Sequence, residues 1–336
     1  MKTSLTEQLG IELPIVQAPI GGAAVPTLVS AVSNAGGLGT LTLTGCDTDT
    51  ARARIRATRA LTDKPFAVNA LLPYEGHFED ALDVALGEQV AVVNLFWGDA
   101  GPWANLVHDA GALLSVQVGS VTEAEQAVTA GADLLVAQGW GAGGHVRGNV
   151  DVLPFVTTVL DKVKGVPVVA GGGIADGRGL AAVLAAGASG ACIGTRFLAA
   201  AEADVADTYR EHVLKANQAD TVYTTVFDRG WPDAPHRVLR NSTYLAWAAA
   251  GGPPRERRPG AEDVLATDGS GHDVQRYLSH TATSDVRGDV EALALWAGQG
   301  VGLVQRVQPA AEIVAEIAEE ARQSSRALAQ MLDESA

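Results

Sequence analysis

Cysteine is scarce in this 336-residue chain. There are two, Cys46 and Cys192, far apart and without metal or redox spacing. That excludes a disulfide scaffold and a thiolate metal centre, and both are expected to be reduced, half-buried thiols. Positive charge is also short: 24 Lys and Arg stand against 39 Asp and Glu, a net −15. Such a chain is a poor partner for nucleic acid or an anionic membrane, because its field repels both. A small anionic ligand is still allowed at a local positive site. No apolar run approaches the roughly 20 residues of a membrane span. The N-terminus lacks an apolar run followed by a small-residue cleavage site, so no signal peptide is expected. A cytoplasmic location is expected, and no metal ligand set is visible.

Apolar residues and glycine are plentiful: 47% of the chain is hydrophobic and 38 residues are glycine. Short β-type runs alternate with helical patterns. Strands are predicted at 14–20, 38–45, 65–72, 90–98, 113–119, 133–140, 166–173 and 189–198. Several are nearly continuous apolar runs, as strands buried on both faces are, which indicates a parallel sheet. Eight βα units in about 200 residues predict an α/β fold, a closed (β/α)8 TIM barrel with an inserted cap domain near the C-terminus. An open doubly wound sheet is the rival, but it carries its glycine-rich turn at the first strand. Here such turns follow strands six and seven. After residue 203 the βα rhythm stops. The expected division is a barrel from 1–203 and 286–336, with 204–285 as the cap. A long helical end is predicted over 301–332.

Barrel active sites lie at the C-terminal ends of the strands. The residues there are Ala18, Pro19 and Ile20, then Asn69, Gln117, Gln138, Gly172 with Gly173, and the run Cys192, Ile193, Gly194, Thr195. The glycine turn after strand seven is followed about 20 residues later by a Gly-Thr turn after strand eight. Two such loops commonly cradle a phosphate through backbone N–H groups and a helix N-terminus. Plain tight turns and helix caps would use the same glycines. The order of both turns on the expected strands favours the phosphate. Without a Walker motif, a cofactor phosphate follows, and flavin mononucleotide (FMN) suits it. The ring would then cover Pro19 and Ile20 and reach the amides of Asn69, Gln117 and Gln138, which offer donors and acceptors together.

The segments PIVQAPI (14–20), VSNAGGLGTL, QGWGAGGHVRG (138–148), AGGGIADGRGLAAVLAAGASGACIGTRFL and WAGQGVGL (296–303) resemble the nitronate monooxygenase family, FMN-dependent (β/α)8 enzymes. TVFDRGWPDAPHRVLRN also resembles that family's cap. The resemblance implies that Asn69, Gln138, Gly143 and its neighbour Gly144, Gly173, and Cys192 to Thr195 contact FMN. It places the Gln299 amide near the flavin and His145 as the catalytic histidine. It implies oxidation of alkyl nitronates by O2 to a carbonyl compound and nitrite. An FMN-dependent enoyl-thioester reductase is the alternative of the same fold, and an inactive flavin- or phosphate-binding protein the alternative of another class. The family pattern reads Glu-Ala-Gly-Gly-His, whereas this chain has Gly141 in the glutamate's place, so a carboxylate beside His145 is missing.

The remaining histidines, His77, His108, His212, His236, His272 and His280, show no metal spacing and are expected to be surface or structural. His236 is a candidate to approach the site from the cap. Trp97 would wall the pocket or simply pack. Trp140 would narrow the pocket, and RERR (255–258) would form a solvated turn.

Overall fold

The computed structural model describes residues 1–72 and 78–333, so His77 lies outside the described residues. Eight parallel strands form the centre: Ile15–Gln17, Gly39–Thr42, Phe66–Leu71, Val92–Phe96, Leu113–Val118, Leu134–Gln138, Val168–Gly171 and Gly190–Ile193. The first pairs with the eighth, and a parallel bridge from Val16 to Leu38 joins it to the second, so the sheet closes into a TIM barrel.

Two layers of apolar packing explain the closure. Outward side chains such as Leu41, Val68, Val93, Leu114, Leu135 and Val168 pack against the surrounding helices. Inward ones, including Val16, Ala67, Val92, Val136 and Val169, share a cluster with Leu5, Leu9 and Ile11. Leu5 and Leu9 belong to an N-terminal helix, Ser4–Leu9, capped by Thr3. This helix, an element absent from the sequence reading, closes the N-terminal end of the barrel. The C-terminal mouth is where the strand-end residues gather.

Two boundaries differ from expectation. The eighth strand ends at Ile193, because Gly194 turns (φ −106°, ψ −74°) and Thr195–Ala199 winds into a 3-10 turn. The long helix spans Ala310–Asp333, not 301–332, since Pro309 sits just before its start and Gln299–Leu303 forms a separate 3-10 turn. The helix packs on the seventh-unit helix, Gly177–Ala185, and on Pro26–Asn34. The approach is so close that a Cβ at Gly177 would lie 2.4 Å from the Ile317 carbonyl oxygen.

Residues 204–288 carry the helices Asp207–Lys215 and Ser242–Ala249 and two small antiparallel sheets. One sheet joins Val264–Thr267, Asp273–Gln275 and Arg287–Gly288. The other joins Thr221–Thr224 to His236–Leu239, and its third strand is Gly144–His145 from the barrel. The segment RERR is only partly solvated. Arg258 is half-buried and holds Asp228 bidentately at 2.6 and 3.1 Å, which sequence reading did not foresee.

Candidate active site

The barrel mouth opens into a cavity of about 440 Å³, within the usual range for a small-molecule site. Its lining includes Ala18, Pro19, Ile20, Asn69, Gln117, Gln138, Gly143, Gly144, His145, Gly172, Gly173, Cys192, Gly194 and Thr195. Two expected residues do not line it. Ile193 is fully buried and points into the outer apolar layer. Gln299 lies beside the rim between Gly298 and Gly300, which do line the cavity.

On the rim of strands seven and eight, Gly172 (φ +107°) and Gly173 (φ +73°) adopt left-handed backbone, a region that favours glycine. A Cβ at Gly173 would meet no atom within 4 Å and would stand in open space, whereas one at Gly172 would lie 2.7 Å from the Gly139 carbonyl. The N–H groups of Gly172, Gly173, Gly194 and Thr195 make no hydrogen bond to the protein among the described residues. The Thr195 hydroxyl accepts from Gly298 N–H at 2.9 Å, which leaves its own proton to donate. This is a donor set for an anion.

The helix after the seventh strand does not offer its N-terminus to the cavity. In the helix Gly177–Ala185, Gly177 N–H donates to the Glu320 carboxylate at 2.8 Å and Gly179 N–H to Asp176 at 2.9 Å. Those two donors are satisfied by carboxylates, so the free N–H groups on the rim are those of the Gly172–Gly173 turn and of Gly194 and Thr195 at the start of the 3-10 turn.

The strand-end amides divide their work. Asn69 donates to the Asn94 amide oxygen at 2.9 Å, and Asn94 to Ser115 at 2.9 Å. The three occupy one register level of adjacent strands and form a buried polar rung. Gln138 donates to the His145 carbonyl at 2.8 Å and accepts from Arg147 N–H at 3.2 Å. Its amide therefore grips both sides of the histidine loop and lines the cavity.

His145 is held by strand pairing as well as by this clamp. Its backbone pairs with His236, and Val146 N–H donates to the Pro235 carbonyl at 2.8 Å. The ring stacks at 4.0 Å on Trp231 and at 5.2 Å on Trp296, both tilted by less than 40°. Its Nε2 is buried without a partner. Burial, reinforced by neighbouring His236, holds the imidazole pKa down to about 3, so the ring is neutral. His236 itself is fully used: Nδ1 meets the Ala234 carbonyl at 2.9 Å and Nε2 accepts from Phe227 N–H at 3.2 Å. Burial lowers its pKa to about 4. It approaches the site as a support, not as a lining group.

The tryptophans also sort themselves. Trp97 adopts φ +70°, rare for a bulky residue, and its ring meets Trp231 at 5.1 Å and His145 at 6.1 Å. It backs the histidine from behind rather than lining the cavity, and Arg147 lies over it at 5.3 Å. Trp140 packs under Arg237 at 4.5 Å and beside Tyr223. It is not a lining residue, so it does not narrow the cavity.

Gly141 has a structural counterpart. A Cβ there would lie 2.9 Å from the Gln299 amide oxygen, and Gln299 N–H donates to the Gly141 carbonyl at 2.9 Å. The space a longer side chain would enter is taken by the Gln299 amide. Cys192 is buried, with its thiol pushed up to about 12, and so stays protonated. Among the described residues, no group of three His, Cys, Asp or Glu side chains could hold a metal. No helix there is long and apolar enough to cross a membrane.

The family profile described as nitronate monooxygenase matches residues 2–100 and 77–320. The chain belongs to the nitronate monooxygenase family. It is 34% identical to a nitronate monooxygenase of Paraburkholderia phytofirmans, with 98% of each chain covered. It is 39% identical over 242 residues to (3aS,4S,5R,7aS)-5-hydroxy-7a-methyl-1-oxo-octahydro-1H-indene-4-carboxyl-CoA dehydrogenase of Mycobacterium tuberculosis, covering 71% of this chain and 66% of that one. The solved structure of FabK from Thermotoga maritima superposes with a TM-score of 0.86 at 33% identity, covering 98% of this chain and 99% of that one. This family member is a flavin-type oxidoreductase.

Sequence reasoning missed several lining residues: Thr44, Arg54, Trp231, His280 and Trp296. Arg54 contacts the Thr42 carbonyl at 3.4 Å and makes no ion pair among the described residues. His280 stands in the polar stretch SHTATS (279–284), which carries no local signal of a site.

Proposed function

We propose that the cavity binds FMN and that the enzyme oxidises alkyl nitronates with O2 to a carbonyl compound and nitrite. The observation that carries this reading is the pairing of two features across one cavity. Four unpaired loop N–H groups face one rim, and a neutral imidazole with an unpartnered Nε2 faces the interior. The residues suit the group: Gly172, Gly173, Gly194 and Thr195 would hold the phosphate, and a side chain at Gly173 would stand where it binds. Pro19, Ile20 and the amide of Gln117 would meet the ring.

A bound flavin would supply the electron sink and the reaction with O2. The protein's part is to bind, orient and manage protons. A neutral Nε2–H can donate to a nitronate oxygen and hold the anion in place. As a base the same ring is weak, because a pKa near 3 opposes taking a proton from carbon. The site therefore suits a nitronate, already ionised, over the neutral nitroalkane. The indoles of Trp231 and Trp296 keep water from the imidazole faces and so maintain that state.

The test is the absorbance spectrum of purified protein, followed by anaerobic titration with ethyl nitronate. Bleaching of a flavin band by the nitronate supports the reading. Rapid bleaching by NADH or NADPH with no response to nitronate would instead support a reductase of the same fold.

A further inference from the structure

A second histidine faces the same cavity. His280 lies in a segment laid along the first-strand side of the mouth, where Thr281 and Thr283 press on Gly21 and Gly22. The segment is pinned at successive residues. Ser279 N–H donates to the Arg229 carbonyl at 2.9 Å, and Ala206 N–H to the Ala282 carbonyl at 3.0 Å. Ser284 N–H donates to the Asp204 carboxylate at 2.9 Å. The His280 carbonyl accepts from Trp296 Nε1 at 3.2 Å, so the indole that stacks on His145 also fixes His280.

The ring itself is left with unused capacity. Its Nε2 is buried and has no partner. The described histidines outside the cavity all have ring partners: His108 meets Asp133, His212 the Thr208 carbonyl, His236 two backbone groups and His272 Asp268. Among the described residues, the two imidazoles with a buried, unpartnered nitrogen are the two that line the cavity. A buried polar nitrogen left bare is unfavourable, so a ligand atom is the natural partner in both cases.

The two are separate stations. His145 packs among Trp231, His236 and Trp296, whereas His280 sits in the segment that Thr281 and Thr283 press on Gly21 and Gly22, with the Asp268 and Asp285 carboxylates acting on it. Two nearby carboxylates make the surroundings of His280 unwelcoming to an anion. Burial keeps its ring towards the neutral form. What remains is a neutral hydrogen-bond partner. Ser279, Thr281 and Thr283 line the cavity beside it and add hydroxyls of the same character.

We propose that His280 is a second substrate-contacting residue, whose Nε2 hydrogen-bonds a neutral carbonyl or hydroxyl oxygen set apart from the carbon that faces His145. The substrate is then a bifunctional, oxygenated compound rather than a plain alkyl nitronate. This deepens the proposed function and rests on its reading of the cavity.

The test compares the holoenzyme with His280→Leu and His280→Gln on two nitronates of equal chain length, from 1-nitropentane and from 5-nitropentan-2-one. The wild type should show a KM for the ketone-bearing compound about ten-fold lower, the worth of one well-made hydrogen bond. His280→Leu should erase that ratio while kcat on the alkyl nitronate stays within about two-fold, and His280→Gln should restore part of it. The FMN affinity of the apoprotein should be unchanged in both variants. An unchanged KM ratio in His280→Leu would overturn the proposal, as would lost FMN affinity, which would make His280 a cofactor ligand. Binding of unreactive hexan-2-one, read from the perturbation of flavin absorbance, needs no turnover. It should weaken in His280→Leu and persist in His145→Ala. If the wild type oxidises neither nitronate but this binding pattern holds, the nitronate reading fails and the His280 proposal stands.

Discussion

The Gln138 amide donates to the His145 carbonyl at 2.8 Å and receives Arg147 N–H on its other end. One side chain at the end of the sixth strand thus fixes the loop that carries the imidazole. Glycines let that loop turn: Gly144 sits at φ +71° just before the histidine. The loop's order comes from the clamp and from pairing with His236–Leu239.

Gln138→Leu should therefore loosen His145 without emptying the anion cradle. Removing the amide leaves a buried carbonyl and N–H short of partners, worth about 1–3 kcal/mol. Steady-state kinetics should show kcat on ethyl nitronate falling about ten-fold or more, with FMN still bound. Flavin loss of equal size would assign Gln138 chiefly to the cofactor.

His145→Ala should abolish most nitronate turnover. Positioned acid–base or hydrogen-bonding groups of this kind contribute about 10²–10⁴-fold. The flavin spectrum should persist, because none of the cradle donors touches the imidazole. Loss of flavin from the variant would give the histidine a scaffolding role.

Substrate preference follows from the neutral ring. With a pKa held near 3, His145 stays uncharged across the working pH range. At a pH where nitroalkane and nitronate interconvert slowly, kcat/KM for the pre-formed nitronate should exceed that for the nitroalkane. Equal values would mean that the imidazole acts as an efficient carbon base.

Acid stability carries the same signature. The folded pKa values of His145 and His236 lie near 3 and 4, below the unfolded value of 6.5. Between those limits the unfolded chain binds more protons, so stability is full above pH 6.5 and declines as pH falls. Each histidine contributes about 1.4 kcal/mol per pH unit at most. Urea midpoints measured from pH 7.5 to 4.5 should drop less steeply for His145→Gln than for the wild type. Parallel slopes would place the ring in contact with solvent.

Much of the barrel was legible because the strands are buried on both faces. Runs such as VAVVNLF leave little ambiguity, and strand ends follow directly from them. The glycine turns on the cavity rim were legible for a similar reason: two glycine turns in order on adjacent strands. The pairing of His236–Leu239 with Gly144–His145 was not. The partners His145 and His236 are far apart in the chain, and no local pattern announces a pairing between a barrel loop and the cap. His280 was missed because one histidine in a polar stretch looks like a surface residue until the fold lays it across the mouth. The role of Gln299 is clear only in space, where its amide meets Gly141.

Equilibrium titration of the apoprotein with FMN and with riboflavin, for the wild type and Gly173→Ala, tests the anion cradle most directly. Tight FMN binding, riboflavin weaker by about 100-fold or more for want of charge-assisted hydrogen bonds, and a variant that loses most of that difference are the expected results. Equal affinity for the two flavins, or no flavin binding at all, would contradict the account.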